Sequence, residues 1–266
     1  MSLEAQNISV VLAGKTILSD ITLKIHANKC TAIVGTNGAG KSTLLRALAG
    51  LLPVVGGKIL LDDQPIGQIN RTALARRLAI LPQTNNAPPD ITVERLVGYG
   101  RFPYRKWWKN DVRADRQAVE NTLKQTGLYA MRQREVHTLS GGERQRAYLA
   151  MALTQLESTE KQTSEKFLLL DEPTTYLDIA HQAEVMDTVT RVRREKNITA
   201  VMVVHDLNHA LKYADEVVLI HKGSIYRHGA PREIICPDIL SDVFGVASEW
   251  YYNQSGQKIL GFGAPV

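Results

Sequence analysis

Apolar and polar positions alternate regularly in short runs near the start of the chain. Residues 21–25 (ITLKI) place every second side chain on one apolar face, which is typical of a strand with one buried face. A similar β-type run at 8–12 precedes them, and the glycine-containing segment 13–15 follows that run. The pattern predicts a small antiparallel sheet in this part of the chain.

Short, continuously apolar runs then alternate with helical stretches. The predicted strands are 31–34, 56–61, 167–170, 198–204, 216–220 and 223–228, and the predicted helices are 41–51, 70–79, 179–196 and 208–214. This alternation predicts an α/β fold with a mostly parallel sheet. Residues 90–131 are rich in helical patterns without a buried strand, which indicates a helical insert within that core.

Composition narrows the range of functions. The 266 residues are 44% hydrophobic and 22% charged, which are values of an ordinary globular protein. No apolar run reaches the roughly 18 residues that a membrane-spanning helix needs. The two cysteines are too few for a disulfide framework. We therefore expect a protein of a reducing cytosol, without a secretory leader.

The net charge of +5 is a feature shared with many nucleic-acid-binding proteins. The excess is local, however, because it lies mainly in 101–116 and 191–196. The chain has no basic tail and no zinc-ligand spacing. A basic run of this kind is more often a solvated face, so we expect no nucleic-acid partner.

A glycine-rich loop, GTNGAGKS, lies between a predicted strand and a predicted helix at 35–42. This context predicts backbone N–H groups that bind phosphate oxygens, next to the positive end of the helix dipole. Lys41 would contact the β- and γ-phosphates, and the Ser42 hydroxyl would bind Mg²⁺. The candidate nucleotide-binding residues of this segment are Gly35, Thr36, Asn37, Gly38, Ala39, Gly40, Lys41, Ser42 and Thr43.

Two carboxylates follow the apolar run at 168–170. Ligands bind at the carboxyl ends of strands in sheets of this type, so Asp171 and Glu172 are expected to face the phosphate loop. Asp171 would hold Mg²⁺, directly or through water, and Glu172 would orient and deprotonate the attacking water. An Asp-Glu pair alone is more often a turn; the phosphate loop favours the catalytic interpretation.

A second glycine-containing helix start lies at Ser140, Gly141 and Gly142. Ser140 and Glu143 have the spacing of a capping box, which by itself predicts a well-capped helix. The capping box does not explain the paired glycines, because glycine weakens a helix start unless its backbone approaches another group closely. The free N–H groups of this helix start are a candidate second phosphate site.

These motifs occur in one order along the chain: GTNGAGKS, a glutamine after a short apolar run (Gln83), LSGGERQR at 139–146, LLLDEP at 168–173, Leu177-Asp178 and Val203-Val204-His205. The set resembles the ATP-binding-cassette (ABC) ATPases over residues 3–245. The resemblance implies a P-loop ABC ATPase core with a mostly parallel sheet, an N-terminal antiparallel β subdomain and an inserted helical subdomain.

The resemblance implies a single ABC ATPase domain over 1–266. The ATP-binding core with its β subdomain would comprise about 1–84 and 160–245, and the helical signature subdomain about 85–159. Residues 246–266 would form a C-terminal extension. We assign no function to the polar loop at 157–166.

A head-to-tail homodimer that binds two ATP molecules is the assembly that the resemblance implies. The phosphate loop of one subunit would face Ser140, Gly141 and Gly142 of the other. Asp178 would bridge the two subunits. Each nucleotide would then be contacted by both copies of the chain.

Three further residues receive roles from the resemblance. Gln83 would contact Mg²⁺ or the attacking water, which makes Ser42, Gln83 and Asp171 the expected ligands of Mg²⁺. His205 would hold the γ-phosphate and the water. Leu12 stands where the family usually has an aromatic residue, so adenine would be held by apolar contact and the preference for ATP over GTP would be weak.

Four segments are most similar to the ATPases of iron-chelate importers: 91–104 (ITVERLVGYGRFPY), 171–182 (DEPTTYLDIAHQ), 205–215 (HDLNHALKYAD) and 229–235 (GAPREII). The resemblance implies import of a ferric siderophore or ferric citrate, with haem and cobalamin as alternatives. It also implies transmembrane permease subunits, an extracytoplasmic solute-binding protein that acts indirectly, and a peripheral position on the cytoplasmic face of the plasma membrane.

Two other classes share some of these features. An ABC ATPase that acts on nucleic acid or ribosomes would fit the basic charge, but such proteins usually carry two cassettes or long coiled-coil inserts. A regulatory module that does not hydrolyse ATP is disfavoured by Glu172 and His205. We hypothesise that the basic and aromatic segment 105–109 contacts the permease or the membrane surface; the alternative is a solvated face.

Overall fold

The computed structural model describes residues 2–83, 90–105, 112–158, 164–252 and 258–265. The hypothesis for the basic and aromatic segment concerns residues that lie outside these ranges, except for Arg105. The middle of the polar loop, 159–163, also lies outside them.

The strands of the described ranges form three sheets. In chain order they are β1 (Ser2–Leu12), β2 (Lys15–His26), β3 (Cys30–Gly35), β4 (Gly56–Leu61), β5 (Gln64–Pro65), β6 (Leu78–Leu81), β7 (Lys166–Asp171), β8 (Ile198–Val203), β9 (Glu216–His221), β10 (Ser224–Gly229), β11 (Val246–Tyr252) and β12 (Lys258–Pro265). Each strand that the sequence predicted is present. The N-terminal strands are longer than predicted.

The helices pack on both faces of the largest sheet and form the insert between β6 and β7. They are α1 (Lys41–Leu48), α2 (Arg71–Ala75), α3 (Val93–Gly98), α4 (Val112–Gln125), α5 (Gly141–Leu156), α6 (Ile179–Lys196), α7 (Leu207–Tyr213), α8 (Pro231–Ile234) and α9 (Pro237–Phe244). The described ranges contain no helix with the length and apolarity needed to cross a membrane.

The largest sheet has six strands in the order β10-β9-β3-β8-β7-β6, and all its pairs are parallel except β9 with β10. Its inner strands are buried on both faces, which explains their continuously apolar sequences. Phe167 and Leu169 face one apolar core together with α1, whereas Leu168 and Leu170 face a second core with α5 and α6.

The antiparallel sheet has the strand order β2-β1-β4-β5 and packs over α1 and one face of the central sheet. Alternate residues of β2 are buried, as the period-two pattern predicts: Ile21, Leu23 and Ile25 point inward. The sheet thereby places the tight turn between β1 and β2 close to the loop that precedes α1, because Gly40 approaches the backbone of Ile17.

The insert between β6 and β7 is helical, as predicted, and its helices α3, α4 and α5 pack against one another. Arg101 anchors this block, with only 2% of its surface exposed. Its guanidinium group donates to Asp115 at 2.8 Å and to the Thr154 carbonyl oxygen at 3.1 Å, and it lies over the ring of Tyr104. A buried charge needs such partners, and these contacts join α4, α5 and the segment around Tyr104 within the insert.

Two predicted helices end earlier than expected. The helix predicted over 70–79 ends at Ala75, because Leu78–Leu81 is strand β6, paired with β7. The side-chain amide of Gln155 donates to the carbonyl oxygens of Ala75 and Leu78, which satisfies backbone groups at this break. Helix α1 ends at Leu48, and the left-handed backbone of Gly50 (φ 68°) terminates it.

We expect Gly57→Ala to destabilise the fold without changing the functional residues. Gly57 has φ 68°, and an added Cβ would lie 2.1 Å from the Gln6 carbonyl oxygen of β1. The free energy of unfolding in urea should fall by about 2–4 kcal/mol. Gly56→Ala is the matched control, since a Cβ there meets nothing within 4 Å. Equal stability of the two variants would contradict the packing of β4 on β1.

Candidate active site

The loop between β3 and α1 depends on glycine at two points. Gly35 has φ 151°, and a Cβ there would lie 2.1 Å from the Ile220 carbonyl oxygen on β9. Gly40 has φ 104°, and a Cβ there would lie 2.6 Å from Cδ2 of Leu18. The loop therefore fits between β9 and β2 only if positions 35 and 40 carry no side chain. The N–H groups of the loop lie just before the N-terminus of α1.

Lys41 is the first residue of α1 and is 6% exposed. Its Nζ donates to the carbonyl oxygens of Gly35 at 2.9 Å and Thr36 at 3.0 Å. Burial lowers the pKa of this ammonium group below its usual value. The loop thus holds a poorly hydrated positive charge, which would interact strongly with a phosphate.

Ser42 and Asp171 meet at the carboxyl end of β7. The Ser42 hydroxyl donates to Oδ1 of Asp171 at 2.7 Å, and the carboxylate is fully buried. Arg46, one turn along α1, lies 3.4 Å from the other oxygen of Asp171. A hydroxyl and a carboxylate in contact are the oxygen donors that Mg²⁺ binds in nucleotide sites, so this donor set fits the ion.

Glu172 lies at the centre of a second polar group. Its backbone is left-handed (φ 54°) and its surface is 8% exposed. Gln83 Nε2 donates to Oε2 at 2.7 Å and the Thr175 hydroxyl donates to the same oxygen at 3.0 Å, whereas His205 Nε2 lies 2.6 Å from Oε1. Side chains that follow β6, β7 and β8 therefore converge on one carboxylate.

One cleft of about 640 Å³ joins the phosphate loop and these polar groups. Its lining residues are Leu12, Ile17, Asn37, Gly38, Gly40, Lys41, Ser42, Thr43, Gln83, Glu172, Thr175, Tyr176 and His205. Leu12 and Ile17 supply apolar surface from β1 and β2. The predicted residues Gly35, Thr36 and Ala39 belong to the loop but do not line the cleft, and Asp171 contacts it through Ser42.

Sequence reasoning did not identify four residues of this region. Ile17, Thr175 and Tyr176 line the cleft, and Arg46 contacts Asp171. Thr175 has a local signal, because it lies in the same turn as Glu172. Ile17 has none, since its place depends on the turn between β1 and β2.

The cleft is not lined by Ser140, Gly141, Gly142 or Asp178, the residues predicted to act across a dimer interface. Ser140 caps α5 in the predicted capping box: its hydroxyl accepts from the Glu143 N–H at 3.2 Å, and Glu143 accepts from the Ser140 N–H at 2.8 Å. That hydrogen bond lowers the pKa of the Glu143 carboxyl. Asp178 caps α6, accepting from the His181 N–H at 2.9 Å.

The ABC transporter family model matches residues 18–175 of the chain. The petrobactin import ATP-binding protein FpuD of Bacillus anthracis is 43% identical over 243 residues, which are 91% of this chain and 86% of FpuD. The hemin import ATP-binding protein HmuV of Bordetella bronchiseptica is 35% identical over 249 residues, which are 94% of each chain. The chain therefore belongs to the ABC transporter family, and it is an ATPase coupled to transport.

The fold is also similar to that of a solved ABC transporter structure. A chain from a metal-chelate type ABC transporter in an inward-facing conformation superposes with a TM-score of 0.82, covering 100% of this chain and 97% of that one. The sequence identity of that pair is 24%, so the likeness concerns the fold. It confirms the predicted class, an ABC ATPase core with a mostly parallel sheet.

We expect Lys41→Met to abolish the binding of Mg-ATP while the protein still folds. The substitution removes a buried ammonium group together with its two hydrogen bonds; these effects oppose each other, so the midpoint of the nucleotide-free protein should stay within about 2 °C of its original value. The stabilisation by Mg-ATP should disappear, because the charge that would meet the phosphates is lost. Thermal unfolding with and without Mg-ATP measures both effects. Lys58→Met, at an exposed lysine, is the control, and a large fall in the nucleotide-free midpoint would contradict the expectation.

Proposed function

We propose that the chain is the energy-coupling ATPase subunit of an importer for an iron chelate, a ferric siderophore or ferric citrate. The principal support is the group of Gln83, Thr175 and His205 around the buried carboxylate of Glu172, beside a phosphate loop. The similarity to a petrobactin import protein supports the class of substrate. Hydrolysis by this group would supply the energy for transport.

The phosphate loop and the end of β7 would bind the triphosphate and its ion. The N–H groups before α1 and the ammonium of Lys41 would hold the β- and γ-phosphates. Ser42 and Asp171 would hold Mg²⁺, and Gln83 would reach the ion from the end of β6. The contact at 2.7 Å between Ser42 and Asp171 supports this assignment. Bound Mg²⁺ would neutralise charge that develops on the phosphate oxygens.

Glu172 would act as the general base. Its carboxylate would take a proton from a water molecule as the water oxygen attacks the γ-phosphorus and ADP leaves. Gln83 and His205 contact different oxygens of this carboxylate, and these contacts would fix its orientation. His205 would also hold the γ-phosphate. Contacts on both oxygens would limit rotation of the carboxylate away from the water.

A second copy of the chain would complete each site. Ser140, Gly141 and Gly142 of the partner subunit would bind the γ-phosphate at the N-terminus of α5. These residues do not line the cleft of their own chain, which supports a role across an interface. Tyr176 and Ile179, which flank the bridging residue Asp178, are 93% and 86% exposed. Large apolar residues this exposed are typical of a surface that a partner covers.

Transport would follow from the difference in ATP affinity between open and closed dimers. ATP would close the dimer because it contacts both subunits, and hydrolysis would reopen it by removing the γ-phosphate. Permease subunits would follow this motion through the helical block between β6 and β7, at the cytoplasmic face of the plasma membrane. An extracytoplasmic solute-binding protein would deliver the chelate to them.

Adenine would rest on Leu12 and Ile17 in place of an aromatic ring. Both residues line the cleft, and Leu12 is 37% exposed. Apolar contact does not distinguish the edges of adenine and guanine, so a weak preference for ATP over GTP is the expected consequence.

We expect Glu172→Gln to reduce the rate of ATP hydrolysis by about 100-fold or more, because glutamine cannot accept the proton. The same variant should form a stable dimer with Mg-ATP, since its nucleotide contacts are intact. Release of phosphate and light scattering measure the two effects. Glu249→Gln, at an exposed carboxylate on β11, is the control. Normal hydrolysis by Glu172→Gln would exclude Glu172 as the base.

The cargo can be identified with the whole transporter. We expect the chain, purified with its permease and solute-binding protein, to yield a bound ferric siderophore or ferric citrate in mass spectrometry. Haem is the second candidate, because HmuV is named for hemin import. Stimulation of ATP hydrolysis by the loaded binding protein is the functional readout. Recovery of bound haem or cobalamin alone would correct the substrate while leaving the ATPase assignment in place.

A further inference from the structure

The first turn of α5 is in direct contact with the first turn of α6. A Cβ on Gly142 would lie 2.4 Å from Cδ2, 2.6 Å from Cγ and 2.9 Å from Cβ of His181. Real side chains do not approach so closely. The ring of His181 therefore occupies the space that any side chain at position 142 would need.

The same histidine also holds Asp178. Its Nδ1 lies 2.8 Å from both carboxylate oxygens of Asp178, and its N–H donates to Oδ1 at 2.9 Å. The N–H bond holds the pKa of this carboxyl below its usual value, so Asp178 is ionised at neutral pH. One side chain thus packs on the backbone of Gly142 and binds the carboxylate that caps α6.

Other contacts join the two helix starts. Arg146 on α5 forms an ion pair with Glu184 on α6. Within the start of α6, the side-chain amide of Gln182 donates to the Leu177 carbonyl oxygen at 2.9 Å. A Cβ on Gly141 would lie 3.7 Å from Cδ2 of Leu177, which is ordinary contact. Of the two glycines at the start of α5, Gly142 is therefore the one that another residue closes to a side chain.

We propose that His181 is a positioning residue, which fixes the N–H groups at the start of α5 relative to Asp178 so that both meet the partner subunit together. The inference rests on the proposed function, in which these two elements bind across the dimer interface. Glycine at position 142 is then required by this histidine, and not only by the nucleotide. His181 acts on dimer closure and leaves ATP binding to its own subunit unchanged, since it does not line the cleft.

The test uses the full chain with Glu172→Gln as the parent, so that hydrolysis does not reopen the dimer. The dimer dissociation constant with saturating Mg-ATP is measured by analytical ultracentrifugation for the parent, Gly142→Ala, His181→Ala and the double variant. His181→Asn retains a donor for Asp178 and is the conservative replacement. His228→Ala is the matched control, because His228 also lies near a carboxylate, 3.6 Å from Glu216, and is similarly exposed.

We expect Gly142→Ala to weaken the dimer about tenfold or more, because the new Cβ displaces the ring. In the His181→Ala protein, Gly142→Ala should raise the dimer dissociation constant by a factor that is at least about threefold smaller. The reason is that the effects of substitutions at contacting residues are not additive. The rescue is partial, because the Cβ of residue 181 remains 2.9 Å away. His181→Ala alone should weaken the dimer, and His181→Asn should weaken it less.

Binding of Mg-ATP to dilute, monomeric protein should be the same for the parent, His181→Ala and His181→Asn, which a general loss of structure would not allow. The side chain of His181 is 34% exposed, so its truncation leaves no closed cavity. Equal costs of Gly142→Ala in both backgrounds would overturn the inference while the proposed function stands. A parent that stays monomeric with Mg-ATP would instead overturn the proposed function.

Discussion

The parallel pairing of β6, β7 and β8 is the constraint on which the cleft depends. Parallel strands leave a sheet at the same edge, so Gln83, Glu172 and His205 emerge side by side although long segments of chain separate them. An antiparallel strand in this position would deliver its side chain to the opposite edge. The sheet also holds the phosphate loop, because β3 pairs with β8 in the same sense and its glycine backbone packs against β9.

Elements with local signals were predicted well. Helix Ile179–Lys196 and strand Gly56–Leu61 have the predicted bounds, and the helix has a local reason: Asp178 caps its start and Asn197 ends it in a left-handed conformation. The helix predicted over 70–79 was wrong at its end, because the apolar run Leu78–Leu81 suits a helix or a strand. Its pairing with β7, far along the chain, decides between them. The pairing of β11 with β12 in the C-terminal extension had no recognised signal.

The residues of the site also differ in how far the sequence predicts them. The phosphate loop and the two carboxylates lie in continuous motifs, so their place in the cleft could be predicted from spacing. Ile17 reaches the cleft only through the fold of the antiparallel sheet, which no motif encodes. The paired glycines were interpreted as a point of close approach to a phosphate, and the sequence did not identify His181 as a neighbour of Gly142. That contact joins two helices that are adjacent only in the folded chain.

The interior bonds of Lys41 have a further consequence for turnover. The ammonium group is already solvated by carbonyl oxygens of its own loop, so the loop keeps its shape between successive nucleotides. Binding and release of a nucleotide would then exchange the oxygen atoms around Nζ of Lys41, with no refolding of the backbone. In such a cassette, the larger rearrangements of the cycle would be movements of whole subunits.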